Sequence, residues 1–220
     1  MSVTGPIMRV GDSCPIIVIG SSTGGPQVLE EIFSRVVRVP AAIIIVQHLS
    51  HSFVPMLGVH IHEACGAPVV IPSDGESACS GTIYLAPAGR HLLLRNNRVF
   101  SFSDTEKVNG VRPSIDSTMR SLRPGLGGRC MSILLTGMGV DGAKGIDHIK
   151  KTGGVTVVQD PETCAIRSMP LAAIATGSVD YILPPDEIAG MINQFGQDLS
   201  WSPQYSGGSF APGKNPFSPL

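Results

Sequence analysis

The sequence predicts an α/β domain: a doubly wound, mostly parallel sheet with helices on both faces and an inserted β-hairpin. Three observations carry that expectation. Short apolar runs at 16–19, 41–46 and 131–135 lack polar alternation, as strands buried on both faces do. Segments with helical periodicity fall between them, and a β-α alternation of this kind argues for parallel strands joined by crossover helices. One stretch, 91–102, breaks the alternation with two strand-like runs on either side of Asn96-Asn97.

The elements follow in order. Residues 16–19 form the first strand. The next segment sets Val28, Leu29, Ile32, Phe33, Val36 and Val37 on one helical stripe, with Glu30, Glu31, Ser34 and Arg35 opposite. Pro40 closes it. Residues 41–46 form a second strand, 54–64 a short helix and 69–71 a third strand. Residues 82–86 are strand-like. The runs 91–95 and 98–102 form the hairpin, because two asparagines suit a tight turn with positive φ. Residues 103–113 are polar, with Gly110 and Pro113, and read as a loop. Ser114 then caps a helix reaching 123. The alternation resumes with a strand at 131–135, a helix at 143–152 ending at Gly153-Gly154, and a strand at 155–158. A small-residue helix at 169–177, a strand at 181–183 and a helix at 185–195 complete it. Residues 1–14 read as an N-terminal extension and 15–196 as one folded domain. Residues 197–220, rich in Ser, Pro and Gly and without period, read as a disordered tail.

Composition narrows the function. The 220 residues are 42% hydrophobic and 15% charged, an ordinary balance for a globular domain with a core. The net charge of −1 supplies no surplus of cations to displace phosphate counterions, so bulk electrostatics draws the protein to no nucleic acid. No apolar run approaches the ~20 residues of a membrane-spanning helix. The first residues lack the cationic-then-apolar order of a secretory signal. Five scattered cysteines form no CxxC pair, which suits free thiols in a reducing cytoplasm. The expectation is a cytoplasmic protein without membrane insertion.

Ligands of open α/β sheets bind beyond the carboxyl ends of the strands. Three reactive side chains stand there: Ser22, His48 and Asp141. Gly20 and Gly24 flank Ser22 in a G-x-S-x-G spacing, which allows a serine in a tight strand-to-helix turn with its hydroxyl lifted from the sheet. Free N–H groups at the following helix start favour a developing oxyanion. A plain glycine-rich turn would carry the same spacing. A dinucleotide fingerprint would want glycine at position 22 and an acidic residue after the second strand, where Gln47-His48 stands. No lysine follows the glycines, which removes the phosphate-loop reading. His48 directly follows the second strand and can act as general base if the two strands pair. Asp141, in the loop Thr136-Gly-Met-Gly-Val-Asp-Gly142, would orient His48 and stabilise its charged form, although glycine turns often contain aspartate as a turn former. His51 is an alternative base further from the strand end. His60, His62, Glu63 and Cys65 do not form a metal set, since helical residues two apart face different sides. Asp160 and Asp180 read as loop residues.

Taken together, these segments resemble the catalytic domain of the chemotaxis protein-glutamate methylesterases. The resemblance spans about 16 to 195 and rests on IGSSTGGP around Ser22, QHLS around His48, RPSID at 112–116 and LTGMGVDGA around Asp141. PAGRH at 87–91 and QDPETCAIRSMP at 159–170 add to it. It implies a doubly wound fold, with Ser22 as nucleophile, His48 as base and Asp141 as the triad aspartate. It also places the backbone amide of Met138 in the oxyanion hole; the elbow geometry adds the amide of Thr23. The implied substrate is a glutamyl methyl ester on the cytoplasmic helices of methyl-accepting chemoreceptors, with receptor-glutamine deamidation in some members and no cofactor or metal. Members usually carry an N-terminal receiver domain. With about 15 residues before the first strand, that regulation is expected to be absent or supplied by a separate receiver-domain protein.

The chain departs from the family pattern at four places. Ser21 stands where alanine is common, Ser50 where proline is, Val111 where histidine is expected and Ser168 where glycine is expected. None removes a triad member; they bear on substrate recognition. Two other readings stay open at this point: an esterase of the same chemistry acting on a different signalling partner, and a non-catalytic docking module.

Overall fold

The apolar runs assemble into one seven-stranded sheet. The computed structural model describes residues 15–37, 39–123 and 129–195. The elements are β1 (Ile16–Ser21), α1 (Gly25–Phe33), β2 (Ala42–Gln47), α2 (Val54–Cys65), β3 (Val69–Val70), β4 (Ile83–Leu85), β5 (His91–Arg95), β6 (Val99–Ser103), α3 (Ile115–Ser121), β7 (Cys130–Leu134), α4 (Ala143–Lys151), β8 (Val155–Gln159), α5 (Ser168–Ile174), β9 (Tyr181–Leu183) and α6 (Pro185–Gln194). The sheet order is β3-β4-β2-β1-β7-β8-β9, and every neighbouring pair is parallel. The extension 1–14 and the tail 197–220 lie outside the described residues.

Alternate side chains of the central strands supply two separate cores. Ile17 and Ile19 of β1 pack with Leu29, Ile32 and Phe33 of α1, Ile61 of α2 and Ile188 of α6. Ile16 and Val18 face the other way, with Ile115 and Met119 of α3, Ile146 of α4 and Met169 of α5. Helices thus cover both faces, which is why the strands contain no polar alternation. The hairpin β5-β6 is antiparallel and stands apart from the main sheet, with Leu92, Leu94 and Phe100 in the second core. Asn96 and Asn97 occupy its turn at φ 51° and 59°, as their side chains tolerate.

Some boundaries differ from the sequence reading. The small-residue helix ends at Ile174 rather than 177, because Thr176 Oγ1 donates to Ala173 O and the Gly177 amide turns back to Ile174 O. The third strand keeps only Val69 and Val70. Helix α3 stops at Ser121, where Leu122 is extended.

The order of connections places the functional edge. The chain leaves β1 toward β2 and β4, then returns to β7 on the opposite side of β1. That reversal makes the carboxyl ends of β1 and β7 the switch point, the place where open α/β sheets bind ligands. The Ser22 turn follows β1, and the 135–142 loop follows β7.

Candidate active site

Ser22 sits on a turn that only small residues allow. A Cβ at Gly20 would lie 2.5 Å from Ile115 Cγ2, and one at Gly25 would lie 2.1 Å from Gln47 Oε1. Gly24 takes φ +80° as the cap of α1, which any side chain would strain. The Ser22 amide donates to Thr136 O at 3.0 Å, tying the turn to the loop after β7. Gly137 packs so closely that an added Cβ would stand 2.7 Å from Ser22 Cβ.

His48 is placed by the neighbouring strand. Ser21 pairs with Gln47 as the last pair of the β1-β2 register, so Ser22 and His48 are the first residues beyond neighbouring strand ends. The His48 amide donates to Ser21 O at 3.1 Å. Buried Gln47 joins the two strand ends: its Nε2 donates to Ser22 O at 2.8 Å and His48 O at 3.2 Å, and its Oε1 accepts from Ser21 Oγ at 2.5 Å. The imidazole Nε2 of His48 meets Asp141 Oδ2 at 3.0 Å, and the two side chains are 13% and 3% exposed. So little water reaches the pair that its attraction is weakly screened. A carboxylate accepting at Nε2 fixes the proton there and leaves Nδ1 as the basic nitrogen.

Asp141 is held from several directions. Oδ2 also accepts from the Ile115 amide at 2.7 Å; Oδ1 accepts from Ser114 Oγ and Asn109 Nδ2 at 2.8 Å each and from the Asp116 amide at 3.3 Å. Two of these donors are backbone amides at the start of α3. Burial pushes the carboxyl up, but His48, Asn109, Ile115 and Ser114 outweigh it and hold Asp141 below its ordinary value. Asp116 lies beside it and goes the other way. Burial raises its pKa, with the Asp141 charge adding to the rise, against hydrogen bonds from the Gly145 and Gly142 amides and Asn109. One Nδ2 group of Asn109, 2.8 Å from each carboxylate, bridges the two acids.

The two candidate oxyanion amides flank this arrangement. Thr23 directly follows Ser22, and Met138 lies in the loop packed on it; among the described residues neither amide donates to a protein acceptor. Thr136 joins the surrounding segments. Its Oγ1 donates to Thr23 O and Ile166 O and accepts from the Ile166 amide, each within 3.1 Å.

The other residues considered find ordinary roles. His51 is exposed and packs near Gly89. His60 pairs with Glu30, and His62 bonds Ala67 O, each at 2.8 Å, so the two face different partners. Asp160 caps the short 3-10 turn Pro161–Thr163, and Asp180 bonds the Thr156 amide and Lys150. Asn109, Gln47 and the Ser114–Ile115 cradle were not singled out for the site from the sequence. The QHLS motif contains Gln47 and the RPSID motif contains Ser114 and Ile115, but neither reveals that Gln47 ties Ser22 to His48 or that Asn109, Ser114 and Ile115 meet Asp141.

The fold and this geometry meet known proteins. The CheB methylesterase family model matches residues 17–192. The chain belongs to the CheB methylesterase family. It is 38% identical over 186 residues to the protein-glutamate methylesterase/protein-glutamine glutaminase of Thermotoga maritima, covering 83% of this chain and 54% of that protein. A protein of the same description from Methanospirillum hungatei is 38% identical over 183 residues, covering 83% and 52%. The crystal structure of the Thermotoga maritima CheB methylesterase catalytic domain superposes with a TM-score of 0.77 at 35% identity, covering 83% of this chain and 98% of that domain. The chain spans about half the length of the curated relatives it matches. The doubly wound CheB fold expected from the sequence is therefore observed. No described helix is long and apolar enough to cross a membrane.

Proposed function

We propose that this chain is a cytoplasmic carboxylic-ester hydrolase that cleaves glutamyl methyl esters on the helices of methyl-accepting chemoreceptors. Ser22 is the nucleophile, His48 the general base and Asp141 the residue that orients and stabilises the imidazolium. The observation that carries the reading is the 3.0 Å bond from His48 Nε2 to a fivefold-held Asp141, one strand away from the Ser22 turn.

The steps follow from the atoms. Nδ1 of His48 takes the Ser22 proton while Oγ attacks the ester carbonyl. The amides of Met138 and Thr23 hold the resulting oxyanion. The protonated His48 returns the proton to the methoxy oxygen, and methanol leaves a glutamyl ester on Ser22. Water then attacks, its proton passing to His48 and from there to the departing Ser22 Oγ, and the glutamate is released. A glutamine side chain enters the same cycle with ammonia as the leaving group. The names of the relatives, which pair methylesterase with glutaminase, support both substrates. No cofactor enters the steps. Receptor helices, and any separate receiver-domain regulator, would meet the protein on the strand-end face that exposes Met138 and Val140.

The test is methanol release from membranes bearing methylated chemoreceptors, comparing wild type with Ser22→Ala. Release that disappears in the variant supports the proposal. Fluorophosphonate labelling of Ser22 without methanol release would redirect it to an ester on another partner. Neither labelling nor release would leave the docking module.

A further inference from the structure

Ser168 opens α5 beside the loop that follows β7. Its Oγ donates to Gly137 O at 3.0 Å and accepts from the Gly139 amide at 3.0 Å. The hydroxyl therefore spans the two residues on either side of Met138. Little else holds this part of the loop: Met138 and Val140 are 69% and 56% exposed, and Gly139 is at φ 101°. Packing therefore supplies scant restraint where an amide must be aimed. The Met169 amide adds one more bond to Gly137 O at 3.1 Å, and Gly137 N donates to Ile166 O at 2.9 Å, so the base of the loop is fixed. Among the described residues, the hydrogen bond from α5 to the loop beyond Gly137 is the one that Ser168 accepts from the Gly139 amide.

We infer that Ser168 is a positioning residue for the oxyanion hole, its hydroxyl clamping Gly137 and Gly139 so that the intervening Met138 amide points at the reacting carbonyl oxygen. The inference rests on the proposed serine-hydrolase reading. Aim matters because a fixed donor stabilises the oxyanion without reorganising during the reaction, and a misplaced one loses that advantage. The residue touches no reacting atom itself. Threonine keeps the hydroxyl that makes the clamp, at a position that is exposed.

The experiment measures phosphonylation by a fluorophosphonate, in which Ser22 Oγ forms a bond to phosphorus, fluoride leaves and His48 takes the proton. The full chain is compared as wild type, Ser22→Ala, Ser168→Ala and Ser168→Thr, with a melting curve for each. The expected result is no label on Ser22→Ala, a maximal labelling rate about 10-fold lower for Ser168→Ala with the half-saturating probe concentration unchanged, and a rate within about 2-fold of wild type for Ser168→Thr. Ser168→Ala labelled at the wild-type rate overturns the inference. So does a slow Ser168→Thr that melts like wild type, or a defect confined to probe binding. Absence of label on the wild type would sink the serine-hydrolase reading itself and the inference with it.

Discussion

Asp141→Asn separates a catalytic network from a merely structural one. Five donors converge on the carboxylate: His48 Nε2 and the Ile115 amide on Oδ2; Asn109 Nδ2, Ser114 Oγ and the Asp116 amide on Oδ1. An amide of the same shape offers one oxygen. With that oxygen on the Ser114 side, its NH2 group faces His48 and Ile115. His48 must then accept at Nε2 and carry its proton on Nδ1, the nitrogen that the proposed mechanism uses as base. With the oxygen on the His48 side, the NH2 group opposes Asn109 and the Asp116 amide, and Ser114 has to rotate away. Either orientation strands one or two donors, at about 1–3 kcal/mol for each buried one. Either also removes the charge that stabilises the imidazolium. Destabilisation of about 2 kcal/mol should lower Tm by roughly 4–8 °C in a domain of this size. The maximal rate should fall by about 10³- to 10⁴-fold, or roughly 4–5.5 kcal/mol of barrier. The assay is methanol release with receptor in excess, alongside thermal unfolding. A variant that keeps more than about a tenth of the wild-type rate would refute the reasoning, because no orientation of the amide preserves both the tautomer and the charge.

Other outcomes follow from the same contacts. Gly25→Ala should destabilise despite alanine's better helix propensity, by about 1–3 kcal/mol, because the new Cβ meets Gln47 Oε1 and displaces the link between the two strand ends; chemical denaturation measures it and activity should fall with it. Asn109→Gly preserves the positive φ of 53° but removes the amide between the two acids, so kcat should fall several-fold, about 3–10, with KM little changed in steady-state assays. The two carboxyls should also give opposite pH signatures. Asp141, held low, contributes stability that is present above its ordinary value of 3.8 and is lost as pH falls through its lowered folded value. Asp116, held high, costs the fold stability when ionised, and that cost is relieved as pH falls through its raised value. Asp116→Asn should therefore be least harmful near neutral pH and relatively worse on acidification; urea unfolding of variant and wild type from about pH 7 to about pH 4 reads the difference.

The sequence revealed what is local. Runs such as 41–46 announced strands covered on both faces, Asn96-Asn97 announced a positive-φ turn, and the glycines around Ser22 and Asp141 announced tight strand-end loops. Each depends on a few neighbouring residues. The strand order did not follow from such signals, and without it the meeting of β1 and β7 ends remained an inference. The supporting contacts were less legible still. Asn109 and Asp141 are separated by 32 residues, and Gln47 and Ser22 by 25. A polar loop residue and a strand-terminal glutamine look alike in any sequence until the fold brings them to a carboxylate or a carbonyl. Ser168 was visible only as a departure from glycine; its two bonds across Met138 required coordinates.

The central claim is that Ser22 and His48 act as one unit. Its most direct test is a comparison of methanol release by Ser22→Ala, His48→Gln and the double variant on methylated receptor membranes. Residues that share a single proton transfer lose their function together, so the double variant should be no slower than the slower single variant, with each single down by about 10³-fold or more. A double variant slowed by the product of the two single effects, or a Ser22→Ala protein that still releases methanol at a substantial fraction of the wild-type rate, would contradict the account.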